Sequence, residues 1–316
     1  MTAFGYFLSS EELGPREMVR YAGLAEQVGF DRVWLSDHYH PWNDAQGQSP
    51  FVWAVIGGIA ATTRLHVTTA VTCPTVRIHP AVVAQAAATA SLMLEGRFTL
   101  GVGSGEALNE HILGDRWPSA AERQEMLAEA VEVMRGLWGG EWFSHRGHHY
   151  TVENARLYSR PEAPLPVYVS GFGPRSIRLA AQIGDGYINV SPSPDAIQGY
   201  REAGGQGPAQ GGVKVCWGTD EKDAVRLAHQ RWGTSGIPGE AAQELPSPQH
   251  FEQVAALVTE DMTAEAVACG PDPERHLRAI RAYVDAGYDE VFIAQIGPDQ
   301  EGFLRFWEKE LRPRLS

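Results

Sequence analysis

The sequence predicts an α/β protein, a (β/α)8 TIM barrel carrying insertions. Short β-type runs alternate with helical patterns along most of the 316 residues, as parallel strands joined by crossover helices do. Eight such runs can be counted, the number that closes a parallel barrel. No Ser/Gly linker separates two halves and no internal repeat is visible. Length alone fits either two ordinary domains or one large barrel, and a single domain over residues 1–316 is the simpler reading.

The first strand is expected at Phe4 to Leu8, followed by a helix from Pro15 to Val28 that Pro opens and Gly29 stops. Strands follow at Arg32 to Ser36, His66 to Val71 and Phe98 to Val102. The next helix, Ala120 to Leu137, is capped near Ser119 and ended by Gly139-Gly140. Residues 141–160 break the rhythm: Trp142-Phe143 and His149-Tyr150 flank Arg146-Gly147, which reads as a hairpin appended before the fifth strand. The remaining strands are expected at Val167 to Ser170, Gly186 to Val190, Val213 to Trp217 and Glu290 to Ala294. Residues 235–270 hold Pro238, Pro246, Pro248 and a helical run from Gln249 to Val258, and suit an insertion near the barrel mouth.

Composition narrows the function. A formal net charge of −13 opposes binding to a polyanion, so nucleic acid is not an expected partner. No stretch has eighteen uninterrupted apolar residues, and the start carries no signal-peptide pattern, so a cytoplasmic protein with no membrane partner is expected. Cys73, Cys216 and Cys269 are odd in number and lack C-x-x-C spacing, which supports reduced thiols over a disulfide framework or a zinc site. His145-Arg146-Gly147-His148-His149 has no metal-ligand spacing and no adjacent Cys or carboxylate, so no metal is expected.

Two stations close strand patterns about seventy residues apart. Ligands and catalytic groups collect at the carboxyl ends of strands in such folds, because loops there vary while the strands hold them rigid. His38, beside Asp37 and followed by Pro41-Trp42, is a candidate proton acceptor against an aromatic wall; the alternative is a structural, hydrogen-bonded histidine. Gly101 to Glu110 is not a nucleotide loop, since Glu106 stands where G-x-G-x-x-G needs glycine. Its glycines suit close passage of backbone by a flat ring, with Glu106 and Asn109 touching it; a plain β-to-α turn is the alternative. Gly171-Phe172-Gly173 precedes a helix start whose bare N–H groups could hold a phosphate beside Arg175, though such a loop can be only a turn.

Together, Gly5-Tyr6-Phe7, Ser36-Asp37-His38 with Pro41-Trp42, Val71-Thr72-Cys73-Pro74-Thr75 with His79-Pro80-Ala81, and Gly103 to Glu110 resemble the luciferase-like monooxygenase superfamily. Within it the likeness is to coenzyme F420-dependent oxidoreductases of the glucose-6-phosphate and secondary alcohol dehydrogenase branch. The resemblance implies a bacterial luciferase-like barrel that binds a deazaflavin at its strand ends, often as a homodimer. It implies that His38 exchanges the proton of a substrate hydroxyl, Trp42 steadies the reacting centre, and Glu106 handles the cofactor's proton. It places Asp37, Cys73, Ser104, Gly105 and Asn109 on the cofactor, with a non-prolyl cis peptide at Ala70-Val71 behind the ring.

The expected activity is hydride transfer between F420 and a small-molecule alcohol or carbonyl compound. The alternatives are an F420H2-dependent reductase of activated C=C or C=N bonds in a natural-product pathway, a monooxygenase using flavin mononucleotide (FMN), or a cofactor-binding protein without turnover. Retention of both His38 and Glu106 argues against the last of these. The sugar-phosphate members clamp phosphate with two lysines and an arginine. The corresponding windows here, Ser191 to Pro194, Gly239 to Gln243 and Met262 to Glu265, contain neither residue type, so glucose 6-phosphate is not the expected substrate. Arg226 or Arg231 remains as a possible substitute.

Overall fold

In the computed structural model, which describes residues 2–237 and 239–315, eight parallel strands close on themselves. In chain order the strands are β1 (Ala3–Leu8), β2 (Arg32–Leu35), β3 (His66–Thr69), β4 (Phe98–Val102), β5 (Phe143–Arg146), β6 (Thr151–Ala155), β7 (Val167–Ser170), β8 (Gly186–Asn189), β9 (Ala209–Cys216), β10 (Ala268–Cys269) and β11 (Glu290–Gln295). The barrel runs β1-β2-β3-β4-β7-β8-β9-β11 and returns to β1, each neighbour parallel. The two extra pieces lie off this ring. Strands β5 and β6 form the antiparallel hairpin expected within 141–160, and the two-residue β10 pairs β9 from outside.

Period-two alternation explains both sides of the wall. Phe7, Trp34, Tyr168, Ile188, Phe292 and Ala294 point into the barrel and form one cluster, with Trp34 stacked on Phe292 at 4.4 Å. Their sequence neighbours face outward against the helices, among them Pro15–Gln27, Val52–Thr62, Pro80–Met93 and Ala120–Trp138. The helix Pro15–Gln27 buries Met18, Tyr21, Ala22 and Ala25, a 3–4 spacing that lays one stripe on the sheet. Ser119 caps Ala120–Trp138 by accepting from the Glu122 N–H, as the sequence suggests.

Residues 241–266 form three short helices, Ala241–Glu244, Pro248–Ala255 and Glu260–Ala266, where a single helical run is expected. They bind back onto the loop after β2: Glu252 accepts from the Asp44 N–H at 3.0 Å, and Phe251 packs edge-on against Trp42 at 4.9 Å. Arg123, buried under Trp117, reaches Glu244 and Gln243 at 3.1 Å. The insertion is thereby fixed over the carboxyl ends of the strands, where the candidate residues lie. Among the described residues no helix is long and apolar enough to cross a membrane.

Candidate active site

Three strand ends converge on His38. Its Nδ1 lies 3.4 Å from Glu11, which directly follows the Ser9-Ser10 pair after β1, and its Nε2 lies 3.6 Å from Glu106, beyond β4. Trp42 flanks the ring at 5.2 Å. An imidazole bracketed by two carboxylates at the mouth of a barrel can exchange a proton with a bound molecule and hold the resulting charge.

The two carboxylates differ in surroundings. Glu11 is buried, which opposes its charge. Neighbouring His38 and hydrogen bonds from Ser9 Oγ at 2.6 Å and Ser36 Oγ at 2.8 Å outweigh that, and its pKa falls below the ordinary value. For Glu106 burial dominates over His38 and the Asn109 amide, and its pKa rises. The pair therefore holds one committed anion and one carboxyl poised to take up a proton.

Asn109 joins the stations. Its Oδ1 accepts from the backbone N–H groups of Tyr39 at 2.9 Å and His40 at 3.1 Å, while its Nδ2 donates to Glu106 at 3.1 Å. One side chain thus spaces the His38 loop from the Glu106 loop. Asp37 is almost wholly enclosed: Thr72 Oγ1 donates to it at 2.8 Å and Arg77 at 3.1 Å, and Arg77 also pairs with buried Glu110. Both Asp37 oxygens are engaged by the protein, so its visible work is to anchor the loop.

The glycines behave as a surface for close approach. Gly105 has φ of +83°, and a Cβ there would meet Cys73 Sγ at 2.5 Å; one at Gly103 would meet Val71 Cγ2 at 2.7 Å. Ser104 lies between them, part-buried. The Ala70–Val71 peptide is cis and packs against the inner barrel cluster. Burial drives the Cys73 thiol well above its ordinary pKa, so it is a neutral wall bonded to Thr75.

At the second glycine loop the expectation of bare N–H groups does not hold. The N–H groups of Phe172 and Gly173 both donate to Ser176 Oγ at 3.1 Å, and that of Gly171 points to Ile188. The side chain three residues into the helix caps its own N-terminus, and Phe172 stands exposed. In the hairpin, His145 bonds Glu129, whose carboxylate also accepts from the backbone of His148, His149 and Tyr150, which accounts for that cluster as a turn clamp.

Sequence reasoning missed Glu11, Glu12 and Lys214. Glu11 and Glu12 follow a strand end just as His38 and Glu106 do, and that position was the available signal. Lys214 lies on β9, in step with Gln210, which bonds Trp34 inside the barrel, and with Gly212, whose missing Cβ leaves room for Trp34. It therefore points inward near the mouth, with its Nζ 4.3 Å from the Trp232 ring.

A model of the family described as luciferase-like monooxygenase matches residues 2–290. The chain belongs to that family. Among curated relatives of this luciferase-like chain, an F420-dependent glucose-6-phosphate dehydrogenase of Microbacterium testaceum is 37% identical, covering 99% of this chain and 97% of its own. One of the same description from Beutenbergia cavernae is 36% identical over 100% and 98%. A solved F420-dependent secondary alcohol dehydrogenase, in complex with an F420-acetone adduct, superimposes with a TM-score of 0.91 at 32% identity, covering 98% of both chains. The F420-dependent tetrahydromethanopterin reductase of Methanopyrus kandleri shares the fold with a TM-score of 0.79 at 21% identity.

These relatives agree with the barrel and deazaflavin expectations, and they overturn one inference. The exclusion of glucose 6-phosphate rested on three windows without Lys or Arg, yet relatives at 35–37% identity over nearly the whole chain are named for that substrate. The physical reason is visible in the barrel. Windows read along the chain omit cations that other strands and helices bring to the mouth, and Lys214 and Arg231 both stand beside Glu11 or Glu12.

Proposed function

We propose that this chain is a coenzyme F420-dependent oxidoreductase that oxidises the hydroxyl-bearing carbon of glucose 6-phosphate. The observation that carries the reading is His38 held between Glu11 at 3.4 Å and Glu106 at 3.6 Å at the barrel mouth. Relatives named for that cofactor and substrate over nearly the full chain support it. The glycine surface formed by Gly103 and Gly105 against Val71 and Cys73 suits a flat ring laid across the strand ends.

When bound against this surface, a deazaflavin would supply the hydride acceptor. His38 Nε2 accepts the proton of the hydroxyl being oxidised, and Glu11, already a settled anion, holds the imidazolium so formed. Glu106, whose pKa burial raises, would hold the proton to be donated to a deazaflavin as it is reduced, while the hydroxyl proton goes to His38. Trp42, braced by Phe251, walls the substrate against His38 and excludes water. Asn109 keeps the two proton-handling loops at fixed separation. A homodimer and a cytoplasmic location belong to the same proposal, and light scattering of the purified protein decides the first.

A fluorescence titration with oxidised F420 beside FMN, followed by turnover with glucose 6-phosphate, tests the reading. Micromolar or tighter binding of the deazaflavin and reduction of its absorbance by the sugar phosphate are expected. Preference for FMN with oxygen consumption, or no turnover of glucose 6-phosphate, would refute it.

A further inference from the structure

We propose that Cys216 and Cys269 form a thiol modification site, a pair that a hydroperoxide closes into a disulfide and a thiol reductant reopens, fastening the insertion to the barrel wall. The inference is independent of the substrate reading above. Both residues are free thiols in this structure. Cys216 ends β9, Cys269 ends β10, and the two are direct partners in the parallel ladder. Neighbouring strands run about 4.8 Å apart, inside the roughly 4.4–6.8 Å between Cα atoms that a disulfide spans.

The surroundings direct each thiol to the other. Both are buried in one apolar cluster with Ala224, Ala228, Val267 and Ile296, whereas Cys73 lies apart, against Gly105. Within the pair Cys269 is the nucleophile: the Cys216 thiol donates to it and Arg275 adds positive charge, which lower its pKa, while that bond and burial raise the pKa of Cys216. The Cys269 thiolate attacks a peroxide oxygen and breaks the O–O bond, leaving a sulfenic acid and, after proton uptake, one water. The Cys216 thiol then forms the S–S bond and displaces the sulfenic oxygen as a second water. Two thiols and one hydrogen peroxide thus give one disulfide and two waters, the sulfurs losing the two electrons that the peroxide gains. Access comes through β10, a two-residue strand at the end of the sheet order whose exit is tied by the Gly270 N–H to the Cys216 carbonyl at 2.9 Å; so short a strand opens locally at small cost. Cys269 stands just beyond the helix Glu260–Ala266 that ends the insertion, and Trp42, the wall of His38, packs on the same cluster. A bond there pins the foot of the insertion beside the reacting centre and removes conformational freedom from its opened state.

The test treats the full wild-type chain with hydrogen peroxide, blocks remaining thiols with iodoacetamide in denaturant, and maps peptides by mass spectrometry without reductant. The expected product joins the Cys216 and Cys269 peptides, is lighter than their sum by two hydrogens, and disappears after dithiothreitol. Thermolysin cleavage within residues 241–266 should slow by at least about tenfold in the oxidised protein and recover on reduction. Cys216→Ala and Cys269→Ser should each show neither the joined peptide nor the slowing. Recovery of the two cysteines separately alkylated, oxidation that stops at a sulfinic acid on one of them, or a disulfide to Cys73 would overturn the assignment. So would a joined peptide with cleavage within about twofold of the reduced protein, since the bond would then fasten nothing. Both wild-type readouts stand even if a variant fails to fold, and neither requires bound coenzyme, so the outcome is separate from that of the functional reading.

Discussion

Replacing Glu11 by Gln is the most direct probe of the proton-transfer geometry, because it removes one charge and little else. Glutamine keeps an oxygen to accept from Ser9 or Ser36, so the loop after β1 retains its bonding. The positive charge formed on His38 as it takes the hydroxyl proton sits 3.4 Å from the lost carboxylate. At an effective dielectric of about 20, one unit charge at that distance is worth about 5 kcal/mol, or between three and four decades in rate. Glu106, at 3.6 Å and with its side chain 30% exposed, recovers part of this, discounted for solvent screening. The expected result is a kcat lower by roughly 100- to 1000-fold, with F420 affinity within about threefold. Stopped-flow reduction of F420 isolates the hydride step and should show the whole loss. A variant retaining more than a third of wild-type kcat would refute the role given to Glu11.

Three further substitutions bear on the same site. Glu106→Gln tests linkage: a carboxyl with a raised folded pKa gives stability that is present below its unfolded pKa and is lost as pH rises through the folded value. The variant lacks that slope, so denaturant melts should show it gaining on wild type from about pH 4 to pH 7; a parallel or opposite trend would count against it. Asn109→Ala breaks two hydrogen bonds between the loops and a third to Glu106 within its own, and should cost about 1–3 kcal/mol with a marked loss of kcat; unchanged urea midpoints would remove Asn109 as the spacer. Gly105→Ala forces a Cβ against Cys73 Sγ at positive φ, and should lower Tm and weaken F420 binding at least tenfold; full affinity would show that the ring does not lie against this glycine.

The barrel was legible wherever burial on both faces left an uninterrupted apolar run. Phe98–Val102 and Val167–Ser170 come out with the expected ends because Gly103 and Gly171 follow them. Strand β9 begins four residues earlier than expected. Ala209 to Gly212 contains no β-branched residue and reads as a turn, yet Gly211 and Gly212 are extended because Tyr283 and Trp34 occupy the space their side chains would need. The small residues that hide the strand from propensity are what let it pack. His38 and Glu106 were found because a titratable group beyond an apolar run marks a strand end. Glu11 satisfies the same rule, but Ser9-Ser10-Glu11-Glu12 also resembles the start of the following helix, and the polar run masked it.

The substrate inference failed for a different reason, and the failure is instructive about barrels. A charge clamp is defined by where strand ends converge, and in a closed ring of eight strands residues distant in sequence share one small mouth. Lys214 and Arg231 enter from β9 and from the helix Glu221–Trp232, while Glu11 and Glu12 enter from β1, across a chain separation of about two hundred residues. Counting cations in aligned windows treats the pocket as a line, although the pocket is a circle. Arg231 pairs with Glu12, and Lys214 stands beside both Glu11 and Glu12, so the charge balance of the mouth is set by carboxylates and cations that none of the three windows contains.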